Sequence, residues 1–163
     1  MKIEGSKFNF IFCEVEFKLL VRSISIEDIE ICARIFIDAY SKEPWNESYD
    51  LEKVKKFLTK FTSSNIYIGW VILEKGQIVG FIVGVIMPYL ERDYFRIEDI
   101  CVRPDMQRKG IGGEFLKRIA FELRNKNIDS IILNTIKDFP TYKFYLINGF
   151  IEIESSSTMF LEI

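Results

Sequence analysis

Apolar residues recur along this chain with two different periods, and the switches between them mark out its elements. Residues 17–24 alternate like a strand. Ser25 followed by Asp28 is a capping-box variant that opens a helix running to about Tyr40, with Ile29, Ala33, Phe36 and Tyr40 as its apolar stripe. Residues 41–50 form a loop. A second helix over 51–61 carries Leu51, Val54, Phe57, Leu58 and Phe61 on one side. Strands over 66–73 and 78–87 are joined by a turn containing Lys75 and Gly76, and a further strand covers 95–102. A helix then runs to about Asn125, with Asn127 as its stop. After a strand over 129–134, Asp138 is placed to cap a short helix whose first turn tolerates Pro140. Residues 150–154 and 158–163 read as closing strands, and 8–16 as an added edge strand. The pattern predicts one α/β (α+β) domain over 1–163: a mixed, mainly antiparallel sheet with helices on both faces.

Composition narrows what such a domain does. Hydrophobic residues make up 48% and aromatics 15%, so the chain is globular. No segment reaches the roughly 18 uncharged apolar residues of a membrane span. The nearest run, 76–90, is interrupted by Gly80, Gly84 and Pro88, and reads as a strand with close-packed glycines. The first residues lack a signal-peptide pattern, so a soluble cytoplasmic protein is expected, with no membrane partner. Cys13, Cys32 and Cys101 are odd in number and far apart, which argues against a disulfide framework or a metal cluster. Histidine is absent, which excludes Ser-His-Asp and Cys-His machinery and His-ligated zinc. A net charge of −2 argues against nucleic acid as a partner. Basic residues outnumber acidic ones in 100–150, and the reverse holds in 1–99. An anionic cofactor on one side and a cationic acceptor on the other would suit that division, as would ordinary scatter of surface charge.

Residues 102–113 carry the most specific chemistry: a strand end, a basic glycine-bearing turn, and a helix start. A helix N-terminus presents unpaired N–H groups and a partial positive charge, so it attracts phosphate. Arg108 and Lys109 add mobile positive charge. The P-loop pattern is absent, because no Gly-Lys-Ser or Gly-Lys-Thr occurs. The dinucleotide fingerprint fails as well, because Phe115 stands where its last glycine belongs. What remains, Gln107-Arg108-Lys109-Gly110-Ile111-Gly112 after Val102 and Pro104, resembles the acyl-CoA-binding motif Q/R-x-x-G-x-G/A of the GNAT superfamily of N-acetyltransferases. Downstream, Phe144, Tyr145, Gly149 and Phe150 resemble that family's F-Y-x-x-x-G-F segment, and the two motifs occur in the family's order.

The resemblance implies roles. The amides of Arg108, Lys109, Gly110, Ile111, Gly112 and Gly113 would hold the CoA diphosphate, with Gln107 also in the cofactor site and the pantetheine arm along Ile100, Cys101 and Val102. Backbone N–H groups of Ile100 and Val102 would polarise the carbonyl, and Tyr145 would protonate the departing thiolate. A carboxylate near Glu98 would act as base, often through water. In an unbroken strand Glu98 and Asp99 point to opposite faces, so only one reaches the acceptor; a bulge would change that. Many relatives carry Asn and Ala where this chain has Asp138 and Thr141, so a hydrogen bond to CoA would fall to Asp138 or Asn134. Trp45 is a candidate cover for the acceptor, and Glu43, Glu47 and Asp99 are candidates to attract its ammonium. An acyl-enzyme route through Cys101 is disfavoured, because no histidine activates it. The expectation is direct transfer from acetyl-CoA, without a metal, to a primary amine of a small molecule. A protein N-terminus is the second acceptor class, and a non-catalytic acyl-CoA-binding module the rival. A homodimer is compatible with such a domain.

Overall fold

In the computed structural model, which describes residues 19–159 and 161–163, chain reversals are set by a few residues of special conformation. Lys75 and Gly76 both take positive φ, 50° and 79°, as a tight hairpin turn requires. They fold strand β2 (Tyr67–Glu74) onto β3 (Gln77–Met87). Asn127, with φ 61°, ends the helix α3 (Ile111–Arg124), and the following Ile128 N–H donates back to Leu123 O at 3.0 Å. At the other end of the chain, the Ser25 N–H and hydroxyl both donate to Asp28 Oδ2, at 2.8 and 2.9 Å. That capping box opens a single 3-10 turn, which continues into α1 (Ile29–Tyr40). Arg22, on strand β1 (Leu19–Ser23), grips the same carboxylate with two bonds of 2.6 and 2.8 Å. Asp50 caps α2 (Leu51–Thr59) by accepting from the Lys53 N–H.

The five strands lie in the order β1-β2-β3-β4-β5, with β4 at Tyr94–Val102 and β5 at Ile131–Ile132. The first four are antiparallel and β5 joins β4 in parallel, so the sheet is mixed and mainly antiparallel as expected. Each face has its own core. Ile29, Ala33 and Phe36 of α1 and Val54 and Leu58 of α2 pack on Val71, Phe81 and Val83 of one face. Phe115, Ile119 and Leu123 of α3, with Tyr145 of α4 (Pro140–Ile147), pack on Ile72, Ile82 and Phe95 of the other.

β3 and β4 fall out of step once. Val83 pairs with Asp99 and Gly84 with Ile97, so Glu98 is an extra residue in β4, a β-bulge. A Cβ at Gly84 would lie 2.3 Å from Arg96 O and 2.4 Å from the Phe95 ring, so only glycine lets the ring fold across here.

Two expectations fail. Residues 150–154 and 158–163 form no strand among the described residues, although Ile151 and Ile153 alternate with glutamates. Strand β5 pairs over only two residues and offers little edge to extend. Glu152 is held instead by Lys137 and by the Tyr142 hydroxyl. Asp138 does not cap α4. Pro140 stands in the first turn and restricts its predecessor to extended backbone, so Phe139 becomes the cap residue at φ −91°, ψ 151°. The expected edge strand over 8–16, the start of the first strand, and Cys13 lie outside the described residues. No described helix is long and apolar enough to cross a membrane.

Asp28 joins β1 to α1, and its substitution tests this account of the fold. The Arg22 guanidinium, against opposing burial, holds its carboxyl below the usual carboxylate range. A depressed carboxyl contributes stability above its unfolded pKa and loses it as pH falls through the folded value. Asp28→Ala is expected to lower unfolding free energy by about 1–3 kcal/mol near neutrality. Urea midpoints should show this deficit shrinking below about pH 4.

Candidate active site

The site begins where β4 and β5 part. They pair only at Phe95 with Ile131 and Arg96 with Ile132. Beyond that point a cavity of about 470 Å³ lies between them, lined from β4 by residues 97–100 and from the other side by Leu133, Asn134, Thr135 and Ile136. Arg103 N–H donates across to Val79 O of β3 at 2.8 Å. Alternate amides of a strand point to opposite edges, so those of Val102 and Ile100 face away from β3, along the parted edge. The Gln107 side chain donates to Val102 O at 2.9 Å and ties the following turn to that edge.

The turn itself is built to leave donors free. A 3-10 turn at Pro104–Met106 is anchored by buried Met106. Arg108 takes φ 58° and Gly110 φ 80°, and Gly110 is the cap residue of α3. The helix ladder opens with Glu114 N–H on Gly110 O at 3.0 Å. Among the described residues, the amides of Arg108, Lys109, Gly110, Ile111, Gly112 and Gly113 donate to no protein acceptor. Six such donors around a left-handed glycine, rimmed by exposed Arg108 and Lys109, match the chemistry of a diphosphate. The next two glycines have a further service. A Cβ on Gly112 would meet the Phe144 ring at 3.1 Å, and one on Gly113 would meet Asn148 Oδ1 at 2.7 Å. Their smallness seats α4, and with it Tyr145, against the start of α3.

The bulge decides what the two acids do. Glu98 lines the cavity, but its carboxylate accepts from Arg96 Nε at 2.7 Å near the surface. Asp99 sits deeper, accepting from the Tyr40 hydroxyl at 3.2 and 3.3 Å and from the Cys101 thiol at 3.4 Å. Burial pushes Asp99 up to about 7, against the lowering effect of the Cys101 and Tyr40 donors and the Ile100 amide. Tyr145 lines the same cavity and is 9% exposed. Its hydroxyl meets no protein partner, yet it is not sealed off, since no buried side-chain polar atom lacks a partner among the described residues. Burial, then the nearby Asp99 and Cys101, push its pKa up, so it keeps its proton at neutral pH. The Cys101 thiol is raised well above its usual value by burial and by Asp99, and Cys32 is pushed up to about 12 by burial. Both remain neutral thiols at neutral pH, which leaves Cys101 without the thiolate an acyl-enzyme route needs.

The other expected residues divide. Trp45 reaches the cavity and rests edge-on against Phe139 at 4.7 Å and tilted against Tyr40 at 5.1 Å. Asn134 lines the cavity, while Glu43 and Asp138 are exposed and do not. Glu47 is engaged by the Tyr49 hydroxyl. Tyr40 is the residue the sequence reading missed as part of the site. Its signal was available: a tyrosine closing an apolar stripe brings a hydroxyl that needs a polar partner. Thr135 and Thr141, whose hydroxyls lie 3.1 Å apart, also line the cavity, so Thr141 marks the site where many relatives have alanine.

The model of the acetyltransferase (GNAT) family matches residues 29–150, a span that holds the parted strand pair, the basic turn with its free amides and the tyrosine helix docked on it. The chain belongs to that family. GNAT structures share the architecture at low identity. One is a GNAT family acetyltransferase of Staphylococcus aureus, at 20% identity and TM-score 0.68, covering 88% of this chain and 99% of that one. Another is the aminoglycoside acetyltransferase meta-AAC0020 from an uncultured soil metagenomic sample, solved with sisomicin, at 18% and 0.71, covering 92% and 99%. A third is the aminoglycoside N-acetyltransferase AAC(6')-Iy in complex with CoA, at 14% and 0.70, covering 89% and 94%. A curated relative, the tRNA(Met) cytidine acetyltransferase TmcA 2 of Saccharolobus solfataricus, is 39% identical over 62 residues. That stretch covers 38% of this chain and 8% of that protein, so the chain matches only a small part of that relative's length.

The Asp99 environment yields a test. A carboxyl raised in the fold favours the native state at low pH, and that advantage is lost as pH rises through the folded value. Asp99→Asn is therefore expected to be more stable than wild type by about 1–3 kcal/mol at pH 8, with the difference shrinking below about pH 7 and gone only below about pH 4. Tyr40→Phe removes a donor to the carboxylate and should raise the Asp99 midpoint further, as read by carboxyl NMR titration.

Proposed function

We propose that this GNAT domain transfers an acetyl group from acetyl-CoA to a primary amine of a small molecule, by direct attack while both are bound. The observation that carries this reading is the convergence of Asp99, Tyr145 and the parted edge of β4 on one cavity beside the free amides of the turn. Acetyl-CoA, when bound, supplies the acetyl group activated as a thioester. The amides from Arg108 to Gly113 hold its diphosphate, and Arg108 and Lys109 add charge at the rim. The Ile100 and Val102 amides along the parted edge orient the arm and polarise the carbonyl oxygen. Asp99 takes the proton that the acceptor ammonium must lose, and Tyr40 holds the carboxyl in position. A carboxyl near 7 suits a base working at neutral pH. Glu98, turned outward to Arg96, is the second candidate for that proton. Tyr145 keeps its own proton and donates it to the departing sulfur.

A thiol-release assay with acetyl-CoA and a panel of amines tests the reading. Tyr145→Phe is expected to lower turnover by roughly 10²–10⁴-fold with acetyl-CoA affinity retained. Tight CoA binding with no transfer to any amine would instead mark a binding module.

A further inference from the structure

One feature of the cavity bears on which amine enters it. Of the residues lining it, only Glu98 and Asp99 are acids, and Glu98 is already matched by Arg96 at 2.7 Å. Glu43 lies outside the cavity, and Glu47 is engaged by Tyr49. Asp99 is thus the one carboxyl of the cavity without a cationic partner among the described residues. The titratable groups around it are the hydroxyl of Tyr40 from α1, the Cys101 thiol and Glu98 from β4, Tyr145 from α4, and Tyr49 from the loop before α2. None supplies a second site for positive charge. Ile97, Ile100, Leu133 and the Trp45 ring give the cavity an apolar wall, and its polar lining, Asn134, Thr135, Thr141 and Thr158, is uncharged. Trp45 is braced from two sides, by Tyr40 and by Phe139. Tyr40 spans the two features, with its ring against Trp45 and its hydroxyl on Asp99, so the apolar wall and the acid lie one tyrosine ring apart.

We infer that the acceptor carries a single ammonium on a short linker to an apolar, preferably aromatic, body, with the nitrogen seated at Asp99 and the body against Trp45. This inference rests on the acetyl-transfer reading and names the substrate class for the same cavity. A polyamine or an aminoglycoside would bring a second ammonium to a cavity whose only other acid is already matched by Arg96, so that charge would find no carboxylate of its own. An aromatic body also fills space that a short alkylamine would leave to water.

The test uses the full chain, acetyl-CoA and five probes: 2-phenylethylamine, methylamine, spermidine, kanamycin and a lysine-containing peptide. Acetyl-CoA binding is measured separately by calorimetry. The kcat/KM for phenylethylamine is expected to exceed that for each polycation and for the peptide by at least about tenfold. Trp45→Ala should raise KM for phenylethylamine roughly 3- to 30-fold with little change in kcat. The loss should be several-fold smaller for methylamine, which has no body to rest on the ring, and Trp45→Phe should restore most of it. A preference for spermidine, kanamycin or the peptide overturns the inference and leaves acetyl transfer standing. An equal effect of Trp45→Ala on every amine does the same. Acetyl-CoA binding without transfer to any probe overturns the transfer reading and this inference with it.

Discussion

Strand β4 holds one residue more than β3 can pair with, and the site depends on that mismatch. Before the bulge, Phe95 and Ile97 point into the core under α3, and the Phe95 amide bonds to Ser130 on the β5 side. After it, the parity reverses. Cys101 enters the core under α1, and Asp99 meets Tyr40 from that helix. In an unbroken strand of the same residues, Asp99 would share the face of Phe95 and Ile97, away from Tyr40. Gly84 makes the bulge feasible by leaving room for the Phe95 ring and the Arg96 carbonyl. The bulge beside Gly84 therefore brings Asp99 to Tyr40 and leaves Glu98 to Arg96.

The same region carries a cost in stability. Burial pushes the Asp99 carboxyl up to about 7, so keeping it ionised in the fold costs stability as pH rises. The surrounding core offsets it. Phe81, Val83 and Phe95, all fully buried, fix the middle of the sheet, and the turn after β4 is tied back through Gln107 and Met106. On the far side, Gly112 and Gly113 let α4 close onto α3, so Tyr145 and the free amides belong to one rigid contact. Acid, tyrosine and amides are thus placed by packing at three separate points.

Much of this was legible in the sequence, because element order follows from strong periodicities and the basic turn follows from its letters. The helices over 29–40 and 111–124 and the central strands stand where their apolar patterns put them. The bulge was not legible as a fact, since adjacent Glu98 and Asp99 look alike in a strand and only pairing with β3 shows which is extra. Tyr40 read as the end of an apolar stripe because its ring does belong to the core, while its hydroxyl serves the site. Asp138 read as a cap because its side chain suits the role, but the restriction Pro140 places on its predecessor outweighs that preference. Residues 151–154 have strand alternation and no adequate edge to join.

The amides from Arg108 to Gly113, which donate to no acceptor among the described residues, are the donors that would hold a diphosphate, and those of Ile100 and Val102 would meet the arm that follows it. Backbone amide NMR during titration with coenzyme A measures this directly. The resonances of residues 108–113, 100 and 102 should shift together, and their hydrogen exchange should slow when the ligand saturates. Saturation that leaves those amides unmoved, with shifts concentrated elsewhere on the surface, would contradict the diphosphate reading.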